Sequence, residues 1–249
     1  MDPATTFTPK AINKGTITIN DDQAGSTGNI GMVANNSDGK SKAVAENVYL
    51  AKINFTGKST KAIGMFSQNG GEIQNNGDIE GGDDDNPLEE TLGMVIQPKT
   101  TTMAASSGIN EVKGKINLTG NKVTGVYNQG TFVNKGKIAT SGEGAITLYA
   151  KGKDSVTNID SGTIIAKNKA LGLFADEATV KLGTGGSNRL KLEADGAGTL
   201  MFYNYTKTIT DYSNSDGKFS LQNDVTAELK NGATGFYFRD TTPGSGSGT

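Results

Sequence analysis

The chain has 249 residues, enough for one large domain or two small ones, and 35 of them are glycine, about twice the usual share. It has no cysteine and no histidine, which excludes disulfides, thiolate chemistry and imidazole catalysis, and only Arg189 and Arg239 among its 24 basic residues are arginines. The net charge of −2, with no run of basic residues, makes nucleic acid a poor partner, and no apolar stretch is long enough to span a membrane.

Two short motifs alternate along the chain. The first is Gly-x-Ile, often with a second apolar residue two positions later, as in Gly15-Thr16-Ile17-Thr18-Ile19. Residues two apart lie on one face of a strand, so this motif predicts short strands with one buried face. We expect the buried positions to stack as a ladder, which comprises Ile17, Ile53, Ile79, Ile116, Ile138, Ile164 and Leu192.

The second motif is apolar-Gly-apolar-aromatic, as in Leu171-Gly172-Leu173-Phe174. Its copies begin at Ile30, Ile63, Leu92, Thr124, Ile146, Leu171, Thr199 and Thr234, and some of them lack the glycine or the aromatic ring. We expect a second ladder of rings, formed by Phe66, Tyr127, Tyr149, Phe174, Phe202 and Tyr237. The pattern leaves open whether the rings face inward or outward, and whether they are a plain stack or a stripe that stacks on carbohydrate.

A third element, Asn-x-Gly, leads into the first motif at Asn13, Asn75 and Asn134. Asparagine and glycine tolerate the left-handed backbone that tight corners need. A unit of about 22–26 residues with short strands and such corners predicts three strands per turn of a solenoid. The expected fold is therefore all-β, a single-stranded parallel β-helix of about eight coils with loop insertions. A leucine-rich repeat has a similar period, but its Leu-x-x-Leu-x-Leu consensus is absent.

The predicted organisation has three parts. Residues 1–10 are a lead-in, residues 11–241 are the β-helix, and residues 242–249 are a Gly/Ser-rich linker. Insertions that leave the regular coil are expected near 35–48, 78–90, 97–111 and 203–218.

Two insertions contain candidate binding residues. The segment 78–90 has seven acidic residues, and Asp83, Asp84 and Asp85 are the candidate ligands for a metal such as Ca²⁺, against the alternative of a hydrated loop. Asn86-Pro87 also resembles the start of a short helix. The segment 203–218 carries Tyr203, Tyr205 and Tyr212 among amide and carboxylate residues, a combination that suits sugar or protein binding.

The alternating units resemble the passenger domains of monomeric type V autotransporters, above all the large fusobacterial outer-membrane adhesins. The tracts 121–130 and 132–138 are typical of them. This resemblance implies a right-handed β-helix and display at the cell surface through a C-terminal outer-membrane barrel. It also implies adhesion to a receptor or glycan on host cells or other bacteria.

Three functions remain open at this point. The first is an adhesin rod that binds protein or glycan through loops and one solenoid face. The second is a passive structural spacer in the same rod. The third is a polysaccharide lyase or hydrolase, which needs paired carboxylates in a groove. We expect a monomeric fragment without enzymatic activity or cofactor.

Overall fold

The described part of the chain is built from β-strands and turns. The computed structural model describes residues 8–20, 28–37, 42–57, 59–183, 190–206, 219–221 and 225–240. These ranges contain no helix, and hence none of the length and apolarity needed to cross a membrane.

The first four coils follow one another in chain order. Coil 1 has β1 (Lys10–Asn13), β2 (Thr16–Asn20) and β3 (Ile30–Asn35), and coil 2 has β4 (Val44–Asn47), β5 (Lys52–Thr56) and β6 (Ile63–Gln68). Coil 3 has β7 (Glu72–Asn75), β8 (Asp78–Gly81), β9 (Leu88–Glu89) and β10 (Leu92–Ile96), and coil 4 has β11 (Ser107–Asn110), β12 (Lys115–Asn121) and β13 (Thr124–Asn128).

The last four coils repeat the same order. Coil 5 has β14 (Thr131–Asn134), β15 (Lys137–Ser141) and β16 (Ile146–Lys151), and coil 6 has β17 (Val156–Ile159), β18 (Gly162–Lys167) and β19 (Leu171–Asp176). Coil 7 has β20 (Thr179–Leu182), β21 (Leu190–Asp195) and β22 (Leu200–Thr206), and coil 8 has β23 (Phe219–Leu221), β24 (Val225–Lys230) and β25 (Thr234–Asp240).

Each coil contributes one strand to each of three parallel sheets. The first sheet runs β1-β4-β7-β11-β14-β17-β20-β23, the second β2-β5-β8-β12-β15-β18-β21-β24, and the third β3-β6-β10-β13-β16-β19-β22-β25. The short strand β9 lies beside the second sheet and pairs with β12. This arrangement is a parallel β-helix, and it confirms the fold class predicted from the repeat.

The second sheet provides the isoleucine ladder predicted from the Gly-x-Ile motif. Ile53, Ile79, Ile116, Ile138 and Ile164 pair in register and are fully buried. Leu192 continues the row, and Ile17, in coil 1, packs against the core at its end. Each coil therefore closes against the next through the same apolar position.

The third sheet explains why glycine occupies the second position of its motif. A side chain at Gly93 would lie 2.5 Å from the Gly125 oxygen and 2.8 Å from Ile116 Cγ2. The glycine and the apolar residue after it, Met94 in this coil, both face the interior. The next residue therefore faces outward, and in most coils it is the aromatic residue of the motif.

An asparagine ladder closes the corner between the first and second sheets. Its members end the first-sheet strands of coils 1–5: Asn13, Asn47, Asn75, Asn110 and Asn134. The Nδ2 of each of the first four donates to the Oδ1 of the asparagine in the next coil, over 2.8–2.9 Å. The sequence predicted turns at three of these asparagines, and the structure adds the side-chain ladder. The ladder ends at coil 6, where Ile159 replaces asparagine.

The predicted insertions include strands of the regular coil. Residues 44–47 form β4, residues 78–81 form β8, residues 107–110 form β11, and residues 203–206 complete β22. Residues 207–218 lie outside the described ranges. At the predicted helix start, Asn86-Pro87 leads into strand β9 instead, because Leu88 is buried and Glu89 pairs with Asn121.

Candidate functional site

The outward row of the third sheet ends in five consecutive aromatic residues. The row pairs in register as Val33, Phe66, Val95, Tyr127, Tyr149, Phe174, Tyr203 and Tyr237. We call the last five the aromatic ladder. Four of its rings are half-buried, and Tyr237, in coil 8, is 52% exposed. The rings therefore face outward, which answers the question that the sequence left open.

The rings of the ladder pack on one another. Tyr149 and Phe174 are stacked with centroids 4.6 Å apart and planes 15° apart, and Phe174 and Tyr203 are stacked at 5.1 Å and 18°. At the ladder's ends the contacts are different. Tyr127 meets Tyr149 edge to face at 62°, and Tyr237 is tilted by 42° from Tyr203. Both faces of the Phe174 ring are therefore covered by its neighbours, and the ladder presents ring edges and hydroxyls to solvent.

Two further rows flank the ladder. On one side lie half-buried aliphatic residues, Ile146, Leu171 and Leu200, which pair in register. On the other side lie Lys151, Asp176 and Tyr205, also in register. The third sheet thus offers an apolar strip with a polar margin. Lys151 and Asp176 do not stand out in the sequence, although both lie two residues after a ladder ring, the spacing that puts residues on one face of a strand.

One polar contact fixes the centre of the ladder. The Tyr149 hydroxyl donates to Asp176 Oδ2 over 3.0 Å, and Lys151 Nζ lies 4.0 Å from the same oxygen. Burial, together with the hydrogen bond to Asp176, raises the pKa of the Tyr149 hydroxyl above its usual range. Burial also raises the pKa of Tyr127. Both hydroxyls are therefore neutral donors at physiological pH.

The prediction that Phe202 belongs to the ladder of rings is wrong. Tyr203 occupies that position instead. Leu200 pairs with Leu171, so Met201 occupies the glycine position and Phe202 faces the interior, where it is 1% exposed. The copy therefore begins at Leu200. Thr199 belongs to the preceding turn, where its hydroxyl accepts from Lys169 N and donates to Asp195 O, each over 3.0 Å.

The predicted tyrosine site falls partly on the ladder face. Tyr203 is a ladder ring, and Tyr205 is the next outward residue of the same strand, in the polar margin. Tyr212 lies outside the described residues. The two described tyrosines thus share a regular sheet surface.

Acidic residues of the segment 78–90 form ion pairs with lysines of neighbouring coils. Asp78 pairs with Lys115 at 3.6 Å, Glu80 with Lys52 at 2.7 Å, and Glu89 and Glu90 both approach Lys122. Of the three candidate metal ligands, Asp83 accepts hydrogen bonds from the backbone amides of Asp85 and Asn86 through Oδ1, and Asp84 and Asp85 are exposed. In the described part of the chain no group of three or more acidic side chains is placed to hold a metal ion.

A polar cleft of about 510 Å³ lies beside this segment. Its floor is the outward row Asn54, Glu80 and Asn117 of the second sheet, and Asp83 and Asn86 form part of one wall. The cleft offers amide and carboxylate groups for hydrogen bonding, but its one aromatic lining residue, Phe55, is buried.

Comparison of the chain with protein-family models, with curated proteins and with solved structures found no match.

Proposed function

We propose that this chain is a segment of an adhesive rod that binds a protein receptor through the aromatic ladder. The observation that supports it is the row of five outward rings in coils 4–8, with an aliphatic row on one side and a polar row on the other. Tyrosine is enriched at protein interfaces because its ring offers apolar area and its hydroxyl a hydrogen bond. An apolar strip with a polar margin has the character of an interaction surface.

The ring geometry favours protein over carbohydrate as the partner. A sugar stacks on a free ring face, whereas Phe174 has both faces covered by Tyr149 and Tyr203. Ring edges and hydroxyls instead suit the side chains and backbone of a protein surface. A glycan would find free ring faces only at the ends of the ladder, near Tyr127 and Tyr237.

The charged rows of the second sheet give less support to an enzyme. Glu193 and Glu228 are neighbours in register, but Lys191 contacts both, at 3.1 and 2.8 Å. Hydrogen bonds from Lys191 and Lys230 lower the pKa of Glu228. A glycosidase general acid needs a raised pKa instead. We therefore propose a binding function without catalysis.

The resemblance to autotransporter passengers supplies the setting of this proposal. In that setting the rod belongs to a bacterial surface adhesin that is anchored by an outer-membrane barrel and contacts host cells or other bacteria. The second candidate is a spacer within the same rod. The stacked rings favour it because they already satisfy one another, as a purely structural surface would.

Binding of the purified chain to a panel of host and bacterial cells separates the two candidates. Two variants each introduce one lysine. Tyr127→Lys places it on the ladder, and Val133→Lys, the matched control, places it on the outward row of the first sheet. An adhesive ladder predicts saturable binding that Tyr127→Lys reduces at least tenfold and Val133→Lys leaves unchanged, with both proteins keeping the circular dichroism of the parent. Absence of saturable binding, or equal loss in both variants, contradicts the proposal and favours the spacer.

A further inference from the structure

The corner between the first and second sheets, followed through coils 1–5, collects lysines from four of these coils. It consists of the segments 13–16, 47–52, 75–78, 110–115 and 134–137, which we call the lysine corner. Its six lysines are Lys14, Lys52, Lys113, Lys115, Lys135 and Lys137, and its acidic residues are Asp78 and Glu111. The whole chain has a net charge of −2, so this corner is a local basic surface on an acidic protein.

Ion pairs neutralise only half of these lysines. Lys115 pairs with Asp78 at 3.6 Å, Lys135 with Glu111 at 3.5 Å, and Lys52 with Glu80 of the adjoining sheet at 2.7 Å. Lys14, Lys113 and Lys137 have no acidic partner within 4 Å among the described residues. Their charge is therefore available to an anionic surface.

Apolar side chains project from the same corner in coils 2 and 4. Coils 1, 3 and 5 turn the corner through Asn-x-Gly, but coils 2 and 4 use a longer turn closed by the bonds Ala51 N to Val48 O and Gly114 N to Glu111 O. The tips of these turns carry Tyr49, Leu50 and Val112, which are 57%, 76% and 63% exposed. The tips lie two coils apart, about 10 Å along the rod.

Leu50 also has an unfavourable backbone conformation. Its φ is 69°, in the left-handed region that L side chains other than asparagine rarely adopt. Glycine would meet the same backbone requirement without strain. Packing does not account for a leucine here, because most of its side chain is in solvent. Of the nine non-glycine residues with a positive φ in the described part of the chain, Leu50 is the only one with an apolar side chain.

We propose that the lysine corner docks on an anionic lipid bilayer, with Tyr49, Leu50 and Val112 entering the interface. Tyrosine prefers the level of the lipid headgroups, and leucine and valine gain free energy by leaving water for the acyl region. Lysines beside them reach the lipid phosphates while their methylene stems stay in the apolar zone. A polyanion such as a sulfated sugar would bind the lysines but would offer no apolar phase for Tyr49, Leu50 and Val112. The corner does not border the third sheet, so the aromatic ladder remains accessible in this orientation, and the two proposals are independent.

Sedimentation with phosphatidylcholine vesicles, with and without phosphatidylglycerol, tests the proposal on the full chain. We expect binding to the anionic vesicles only, and weaker binding at high salt because the charges are screened. Leu50→Gly should lower the partition coefficient about tenfold, and Lys113→Gln about fivefold. Leu50→Gly removes the strain as well as the side chain, so it should keep or raise the melting temperature while it weakens binding. Ile30→Ser is the matched control, since Ile30 is an exposed apolar residue on the third sheet.

Three outcomes overturn the proposal. The first is no binding to anionic vesicles at low salt. The second is binding that responds to Lys113→Gln but not to Leu50→Gly, which assigns the corner to a polyanion or an acidic protein. An equal loss in Ile30→Ser would show that the apolar contribution is not specific to the corner, and would also contradict it.

Discussion

The asparagine ladder and the aromatic ladder use the same repeat in opposite ways. The first lies inside coils 1–5 and joins buried amides through one hydrogen bond per coil. The second lies on the outer surface of coils 4–8 and joins neighbouring rings through contacts with centroids 4.6–5.4 Å apart. In both, a parallel β-helix places one residue of each coil directly over its counterpart, so like side chains meet.

The two ladders differ in how much variation they tolerate. A buried amide must find both a donor and an acceptor, so each asparagine depends on the next, and the ladder ends abruptly where Ile159 follows Asn134. An outward ring needs no partner, because water is available. Val33 and Val95 occupy the aromatic row in coils 1 and 3. The inner ladder is therefore under structural constraint, whereas the outer row is free to change its chemistry for a partner.

The largest expected effect is on the inner ladder. Asn75→Leu removes the Oδ1 that accepts from Asn47 Nδ2 and the Nδ2 that donates to Asn110 Oδ1. The buried Asn110 Oδ1 then loses its donor, and Asn47 Nδ2 keeps only its longer bond to Asp78 O, at 3.3 Å. We expect the free energy of unfolding to fall by about 4 kcal/mol. The measurement is urea denaturation followed by circular dichroism. Asn13→Leu is the control, since Asn13 is only half-buried and a loss of about 1 kcal/mol is expected there. Equal losses would show that the ladder is not a cooperative buried network.

A smaller effect is expected on the outer ladder. Phe174→Ala removes stacking with both Tyr149 and Tyr203, which lowers the free energy of unfolding by about 2 kcal/mol. Phe174→Val introduces the residue type that coil 3 has in this row, at Val95, and should lower the free energy of unfolding by less than Phe174→Ala. A loss larger than that of Asn75→Leu would reverse the ranking of the two ladders.

The smallest effect depends on pH. The pKa of Tyr149 is raised from its usual 10.0, so the folded state holds the proton more tightly than the unfolded chain. Its contribution is therefore complete below pH 10 and is lost as the pH rises above that value. Tyr149→Phe should lower the free energy of unfolding by about 1 kcal/mol at neutral pH. The variant should also lack the loss of stability that ionisation of Tyr149 causes at alkaline pH. Melting temperatures of both proteins from about pH 8 to 11 give the comparison, and parallel curves would refute the assigned hydrogen bond to Asp176.

Local patterns were sufficient to predict the fold. The Gly-x-Ile motif marks the buried ladder directly, because the isoleucine recurs in every coil from Ile53 to Ile164 and a glycine stands two residues before it in coils 3–6. The sequence pattern misplaces the ring at Phe202, because Met201 stands in the glycine position and the motif there lacks the residue that marks its register. The pattern also predicts Tyr203 in an insertion, although Tyr203 continues strand β22.

The surfaces were harder to predict because their members are far apart in sequence. Lys115 and Asp78 form an ion pair across 37 positions, and the corner loops set that separation. The six lysines of the corner come from four coils, so no basic run is visible in the chain. The exposed tips at Leu50 and Val112 stand out only when the turns of coils 2 and 4 are compared with the tight corners beside them.

The most direct test of the aromatic ladder as the adhesive surface is hydroxyl-radical footprinting of the chain, free and bound to cells. Tyrosine and phenylalanine report their own exposure through oxidation, so no label is needed. The account predicts that binding protects Tyr127, Tyr149 and Tyr203 and leaves Ile109 and Val133 on the first sheet as reactive as before. Unchanged oxidation of the three tyrosines in the bound protein would contradict the account and place the contact elsewhere on the rod.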